Sequence, residues 1–75
     1  MALLTPAELK AARHQLGLSA KRFAELIQIG DGRTVRRWEA GDSAIPGPVN
    51  VIVGLLLTLP AARRAVGLKV NAAKS

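Results

Sequence analysis

Apolar positions recur at helical spacing along most of the chain. Leu9, Ala12 and Leu16 share one face of a first segment if each residue advances by about 100°. That segment opens on Thr5-Pro6-Ala7-Glu8, a capping box with proline at the first helical position, and stops near Gly17. Lys10 and Arg13 fall on or beside its solvent face. Ser19 is a second N-cap, and Phe23, Ala24, Leu26 and Ile27 carry the period of a short second helix. Gln28-Ile29-Gly30 reads as the following turn, with Ile29 tucked into the core. A third helix runs from Asp31 to Ala40: Asp31 caps its start, Val35 and Trp38 point inward, and Gly41 supplies a left-handed stop.

Asp42-Ser43-Ala44-Ile45-Pro46-Gly47 is loop by composition. Pro48 then opens a fourth helix through about Leu59, and Pro60 begins a short helical turn from Ala61 to Val66, stopped by Gly67. No stretch alternates for long enough to make a strand. The pattern predicts an all-α chain: one compact five-helix bundle over 1–68, followed by a flexible tail over 69–75.

The fourth helix is more apolar than one buried face requires. Val49, Ile52, Val53, Leu56 and Leu59 form the inward stripe by angle, Val51 and Leu55 lie on a neighbouring face, and Leu57 on another side again. A surface helix normally carries one apolar stripe, and contiguous extra patches mark partner sites. The expected partner is a second copy, giving a homodimer through Val51, Leu55 and Leu59; a different protein would use the same patch.

Composition narrows the function. Seventy-five residues make one small domain, which buries only about 60% of its unfolded surface, so a second subunit could usefully complete its core. There is no cysteine, hence no disulfide and no thiolate metal site. The longest apolar run, Val49 to Leu59, falls far short of the ~20 residues of a membrane span, and Met1-Ala2-Leu3-Leu4 does not read as a signal peptide. A soluble, cytoplasmic protein is expected. One histidine, His14, stands alone as a surface residue, and the five acids form no paired constellation. An enzyme, a cofactor and a metal are therefore not expected.

Eleven Lys and Arg against five acids give a net charge of +6, which suits a nucleic acid or another anionic partner. Placement says more than the total. Arg33, Arg36 and Arg37 stand at i, i+3 and i+4 on the face of the third helix opposite Val35 and Trp38, with no acid at i±4 to neutralise them. Lys21 and Arg22 occupy the first turn of the second helix, where the macrodipole disfavours cations. A phosphate received at the Ser19–Lys21 corner would account for that placement.

Leu16-Gly17-Leu18-Ser19, Phe23-Ala24-Glu25-Leu26 and Thr34-Val35-Arg36-Arg37-Trp38-Glu39-Ala40-Gly41 resemble the phage-repressor family of helix-turn-helix proteins, which includes Cro, lambda repressor and the xenobiotic-response-element regulators. The resemblance covers roughly Leu9 to Leu59, and its most specific part is Thr-Val-x-x-Trp-Glu-x-Gly at the right distance after Leu-Gly-Leu-Ser. It implies a lambda-repressor-like bundle with a helix-turn-helix unit at about 19–40 and the third helix in the major groove. The first turns, Gly32, Arg33, Arg36 and Arg37, would then face the bases. Arg33 and Arg36 are favoured as base readers, with Arg37, Thr34, Ser19 and Lys21 at phosphates or bases.

The resemblance further implies an ion pair between Glu39 and Arg13, and a dimer whose recognition helices lie about 34 Å apart on an inverted repeat of double-stranded DNA. Two departures stand out. Ala20 occupies a position where the family often has a glutamine that clamps a phosphate and braces the third helix, and Gly30 lengthens the turn by one residue.

The chain thus reads as a small transcriptional regulator, with repression inferred from its size and the nucleoid as its place of action. Its alternatives are a protein-interaction module such as an antitoxin or adaptor, and a cationic membrane-active helix, against which the capped, glycine-punctuated pattern argues. Arg63 and Arg64 could touch flanking phosphates or merely line a solvated helix face.

Overall fold

The computed structural model describes residues 4–68, so the tail expected over 69–75 lies outside the described residues. Those residues form five helices and no strand: α1 Pro6–Gln15, α2 Ala20–Leu26, α3 Gly32–Ala40, α4 Gly47–Thr58 and α5 Pro60–Ala65. None of these helices is long and apolar enough to cross a membrane.

The capping chemistry sets the boundaries. At α1, Glu8 N–H donates to Thr5 Oγ1 at 3.1 Å while Thr5 N–H donates to Glu8 Oε1 at 2.9 Å, so both halves of the capping box are made. Ser19 Oγ accepts from Arg22 N–H at 3.1 Å to start α2. The end of α3 depends on Gly41, whose φ of +82° turns the chain so that Asp42 N–H reaches Arg37 O at 2.9 Å.

The end of α2 has the same geometry without a glycine. Gln28 takes φ +62°, its N–H donates to Glu25 O at 3.2 Å, and Ile29 N–H donates to Ala24 O at 2.8 Å. Gln28 therefore carries a left-handed strain of about 1–2 kcal/mol that glycine would avoid. This turn sends Ile29 outward. Expected in the core, it is 40% exposed, because the left-handed residue before it redirects the chain.

Phe23, Leu9 and Val35 are fully buried, and Ala12, Ala20, Ala24, Trp38, Val49 and Val53 complete the centre around them. α2 packs most extensively on α3, α3 also packs on α1, and α4 bridges α1 and α5. The inward stripe of α4 is narrower than its angles predict. Val49, Val53 and Leu56 are buried, but Leu59 is 48% exposed. It serves as C-cap of α4 with φ −117° and ψ 112°, so it has left the helical spiral that would have carried it inward. Leu57, expected on another side, is partly buried against the core.

Two polar side chains make this packing specific. Asn50, which only interrupts an apolar run in the sequence, is buried; its Oδ1 accepts from Leu4 N–H at 2.7 Å and its Nδ2 donates to Pro46 O at 3.3 Å. It pins the segment before α1 to the first turn of α4. Arg63 completes the other end of α4. Leu56 O would normally accept from the residue four positions on, but that residue is Pro60, which has no N–H. Arg63 Nη1 donates to Leu56 O instead, at 2.6 Å.

Candidate nucleic-acid interface

α3 is divided by its own sequence. Val35 and Trp38 are buried, whereas Arg33, Arg36 and Arg37 are all exposed on the opposite side. Burying a tryptophan and a valine fixes the rotation of the helix about its axis, and that rotation aims the three guanidinium groups outward. Thr34 lies between the two faces and is half-buried.

A buried ion pair sets the angle of α3 against α1. Arg13, placed by angle at the solvent edge of α1, is in fact buried at 9% exposure. The reason is its partner: Nε donates to Glu39 Oε2 at 2.7 Å and Nη2 to Glu39 Oε1 at 3.0 Å. Nη1 donates to Leu18 O at 2.9 Å, so the same guanidinium also holds the chain between α1 and α2. The bonds to Glu39, opposed by desolvation and aided by its charge, raise the Arg13 pKa above its ordinary value.

At their starts, α2 and α3 approach backbone to backbone. A Cβ at Gly32 would lie 3.0 Å from Lys21 N, 3.1 Å from Lys21 Cα and 3.2 Å from the carbonyl carbon of Ala20. Gly32, expected to face the bases, therefore turns its open side to α2, and its lack of a side chain lets the two helix starts meet. Ala20 is buried beside it. The close approach of the two helix starts thus rests on two small residues, Ala20 and Gly32. The contact also brings the α2 start, with Ser19 and the exposed Lys21, alongside the first turn of α3.

The charged stripe is not uniform. No acid lies at i±4 from the arginines, yet Arg33 finds one at i−2: Nη2 donates to Asp31 Oδ2 at 3.1 Å and Nε to the same oxygen at 3.2 Å. Asp31 Oδ1 meanwhile accepts from Arg33 N–H at 2.8 Å as the N-cap of α3. The Arg33 side-chain and backbone bonds, with smaller help from the charges of Arg33 and Arg37, hold the Asp31 carboxyl below its usual pKa against slight desolvation. Arg36 and Arg37 make no side-chain hydrogen bond among the described residues. In α2, Arg22 reaches Glu25 at 3.4 Å, a long and exposed pair, while Lys21 has no such partner among the described residues.

Other sequence candidates separate from this face. Arg63 is occupied at the end of α4, leaving Arg64 as the exposed member of that pair. Val51 and Leu55 are each 44% exposed and, with Leu59, form an apolar surface on α4 and its C-cap. Asp31 as a partner for Arg33, and Gly32 as a helix contact, were missed from sequence. The signal for the first was present in the acid–glycine–arginine spacing at the helix start. The second needed the relative position of two helices. Comparison of the chain with models of known protein families, with curated proteins and with solved structures finds no match.

Proposed function

We propose that this chain is a lambda-repressor-like helix-turn-helix domain that binds double-stranded DNA sequence-specifically as a small transcriptional regulator, acting as a repressor at the nucleoid in the cytoplasm. α2 and α3 are the helix-turn-helix pair, and α3 enters the major groove. The observation that carries this reading is the division of α3, with Val35 and Trp38 buried on one side and Arg33, Arg36 and Arg37 exposed on the other. A net charge of +6 and the adjoining Lys21 and Ser19 support phosphate contacts beside the base-reading face. The reading assigns no catalytic role, cofactor or metal.

Two copies joined through Val51, Leu55 and Leu59 would read an inverted repeat. The exposure of these residues supports that arrangement. So does the absence of any charged residue from α4, since two chains of net charge +6 repel least where neither presents a cation.

The test is selection of bound sequences from a random DNA library, repeated with Arg33→Ala, Arg36→Ala and Arg37→Ala. A base-reading arginine relaxes one position of the selected motif, at a cost of about 1–3 kcal/mol. A phosphate-holding one weakens all sequences alike and flattens the salt dependence by about one unit of slope. If none of the three changes affinity or specificity, the DNA reading fails. The same exposed α4 surface favours a second reading, a protein-interaction module such as an antitoxin or adaptor, which predicts weak and salt-insensitive DNA binding.

A further inference from the structure

Arg13 and Arg33 offer the same side-on edge, Nε with Nη2, to a carboxylate. What remains of each guanidinium differs. Arg13 has its Nη1 bonded to Leu18 O and is enclosed. Among the described residues Arg33 has no hydrogen bond on Nη1, and its side chain is 80% exposed. A guanidinium carries five N–H donors in a planar fork, so a carboxylate on the Nε–Nη2 edge leaves the outer edge, formed by Nη1 and Nη2, with two parallel donors. That outer edge matches the O6 and N7 acceptors of guanine.

Asp31 is well fitted to hold the fork in place. It is anchored by its bond to Arg33 N–H at 2.8 Å, so the carboxylate belongs to the α3 start and cannot drift from the arginine it orients. One side chain thus caps the helix and aims its first arginine. Arg36 and Arg37 carry no comparable restraint among the described residues. An arginine with a preset plane loses less conformational freedom on meeting a flat base edge than one that must first be ordered.

We propose that Asp31 is a positioning residue for DNA specificity, holding Arg33 side-on so that its outer edge reads a guanine in the major groove. The inference rests on the DNA reading above and adds to it a named arginine, a named base and the residue that couples them. Asp31 touches no base in this scheme and acts through Arg33. Its negative charge opposes the phosphate backbone, so its contribution is to discrimination rather than to total affinity.

The decisive variants are Asp31→Asn and Asp31→Ser, because both residues cap helices about as well as aspartate and leave the α3 start formed. Circular dichroism and thermal melting check that the fold is kept, and library selection with competition binding then compares them with the wild type and Arg33→Ala. Both Asp31 variants are expected to lose about fivefold or more of the guanine preference at the one position that Arg33→Ala also relaxes. Their affinity for random DNA stays equal or rises, an outcome that damage to the fold would not give. Selective wild-type binding with an unchanged motif in both Asp31 variants overturns the inference and leaves the DNA reading intact. Relaxation at a position different from that of Arg33→Ala also overturns it. Absence of sequence-dependent binding by the wild type overturns the DNA reading itself, and this inference with it.

Discussion

Arg13 lies flat against Glu39, with its Nε 2.7 Å from one carboxylate oxygen and its Nη2 3.0 Å from the other. Their side chains are 10% and 6% exposed, so this is a buried, bidentate pair between α1 and the last turn of α3. Such a pair gives little net stability over an apolar substitute, but losing one member strands the other charge. Arg13→Ala or Glu39→Ala should each cost about 3 kcal/mol in urea denaturation, and a double Arg13→Met, Glu39→Met variant should recover most of that loss. Arg13→Lys should fall between, since an ammonium cannot serve Glu39 side-on and Leu18 O together. Equal stability of the two alanine variants and the wild type would remove this pair from any role in setting α3.

Asp31 makes α3 sensitive to acid. Its folded-state pKa is lowered by its bonds to Arg33, so its contribution is complete above the ordinary carboxylate pKa and is lost as pH falls through the lowered value. Stability followed from about pH 6 to about pH 2 should therefore decline less steeply in Asp31→Ala than in the wild type, from a lower starting value. The carboxylate is open to solvent, so the difference is small. Parallel curves for the two proteins would contradict the lowered pKa. For Arg13 the sign is opposite and the window lies above the pH range of ordinary use, since a guanidinium pKa that is already high is raised further.

Gly32 and Gly54 should respond in opposite directions to alanine. At Gly32 the new methyl group would press on the backbone of Ala20 and Lys21 at 3.0–3.2 Å, and backbone cannot swing aside as a flexible side chain can. Gly32→Ala should cost about 1–3 kcal/mol of stability by forcing α2 and α3 apart. At Gly54, within α4, a Cβ meets nothing within 4 Å. Gly54→Ala should stabilise the monomer by about 0.5–1 kcal/mol through helix propensity. Thermal melts of both variants at low protein concentration make the comparison.

Leu55 tests the proposed pairing of two chains. It is 44% exposed on the uncharged α4, so on the proposed pairing the wild type should sediment as a dimer and Leu55→Lys as a folded monomer. Affinity for an inverted repeat should then drop towards that for a single half-site. A variant that still sediments as a dimer would place the interface elsewhere.

Much of this protein is local chemistry and was legible in sequence. Thr5 with Glu8, Ser19, Asp31 and Gly41 mark helix ends through bonds spanning at most five residues, and the structure puts those ends within a residue of where the pattern does. The outward arginines of α3 follow equally from the 3.6-residue period, given that Val35 and Trp38 face inward. Tertiary structure decided what depends on two elements at once. The Arg13–Glu39 pair was expected from the resemblance, but the burial of Arg13, which its helical angle leaves at the solvent edge, follows from the α1–α3 contact that brings in Glu39 from 26 residues away. Gly32 turned to α2 because its own start abuts the start of that helix, and Arg63 was drawn to Leu56 O because Pro60 left that carbonyl without a donor. Ile29 and Leu59 left the core because one left-handed residue and one extended residue redirect the chain, a backbone choice that hydrophobic spacing does not encode. Periodicity reports which face of a helix is apolar; how helices lean together, and which polar groups that leaning satisfies, is settled only when the whole core is packed.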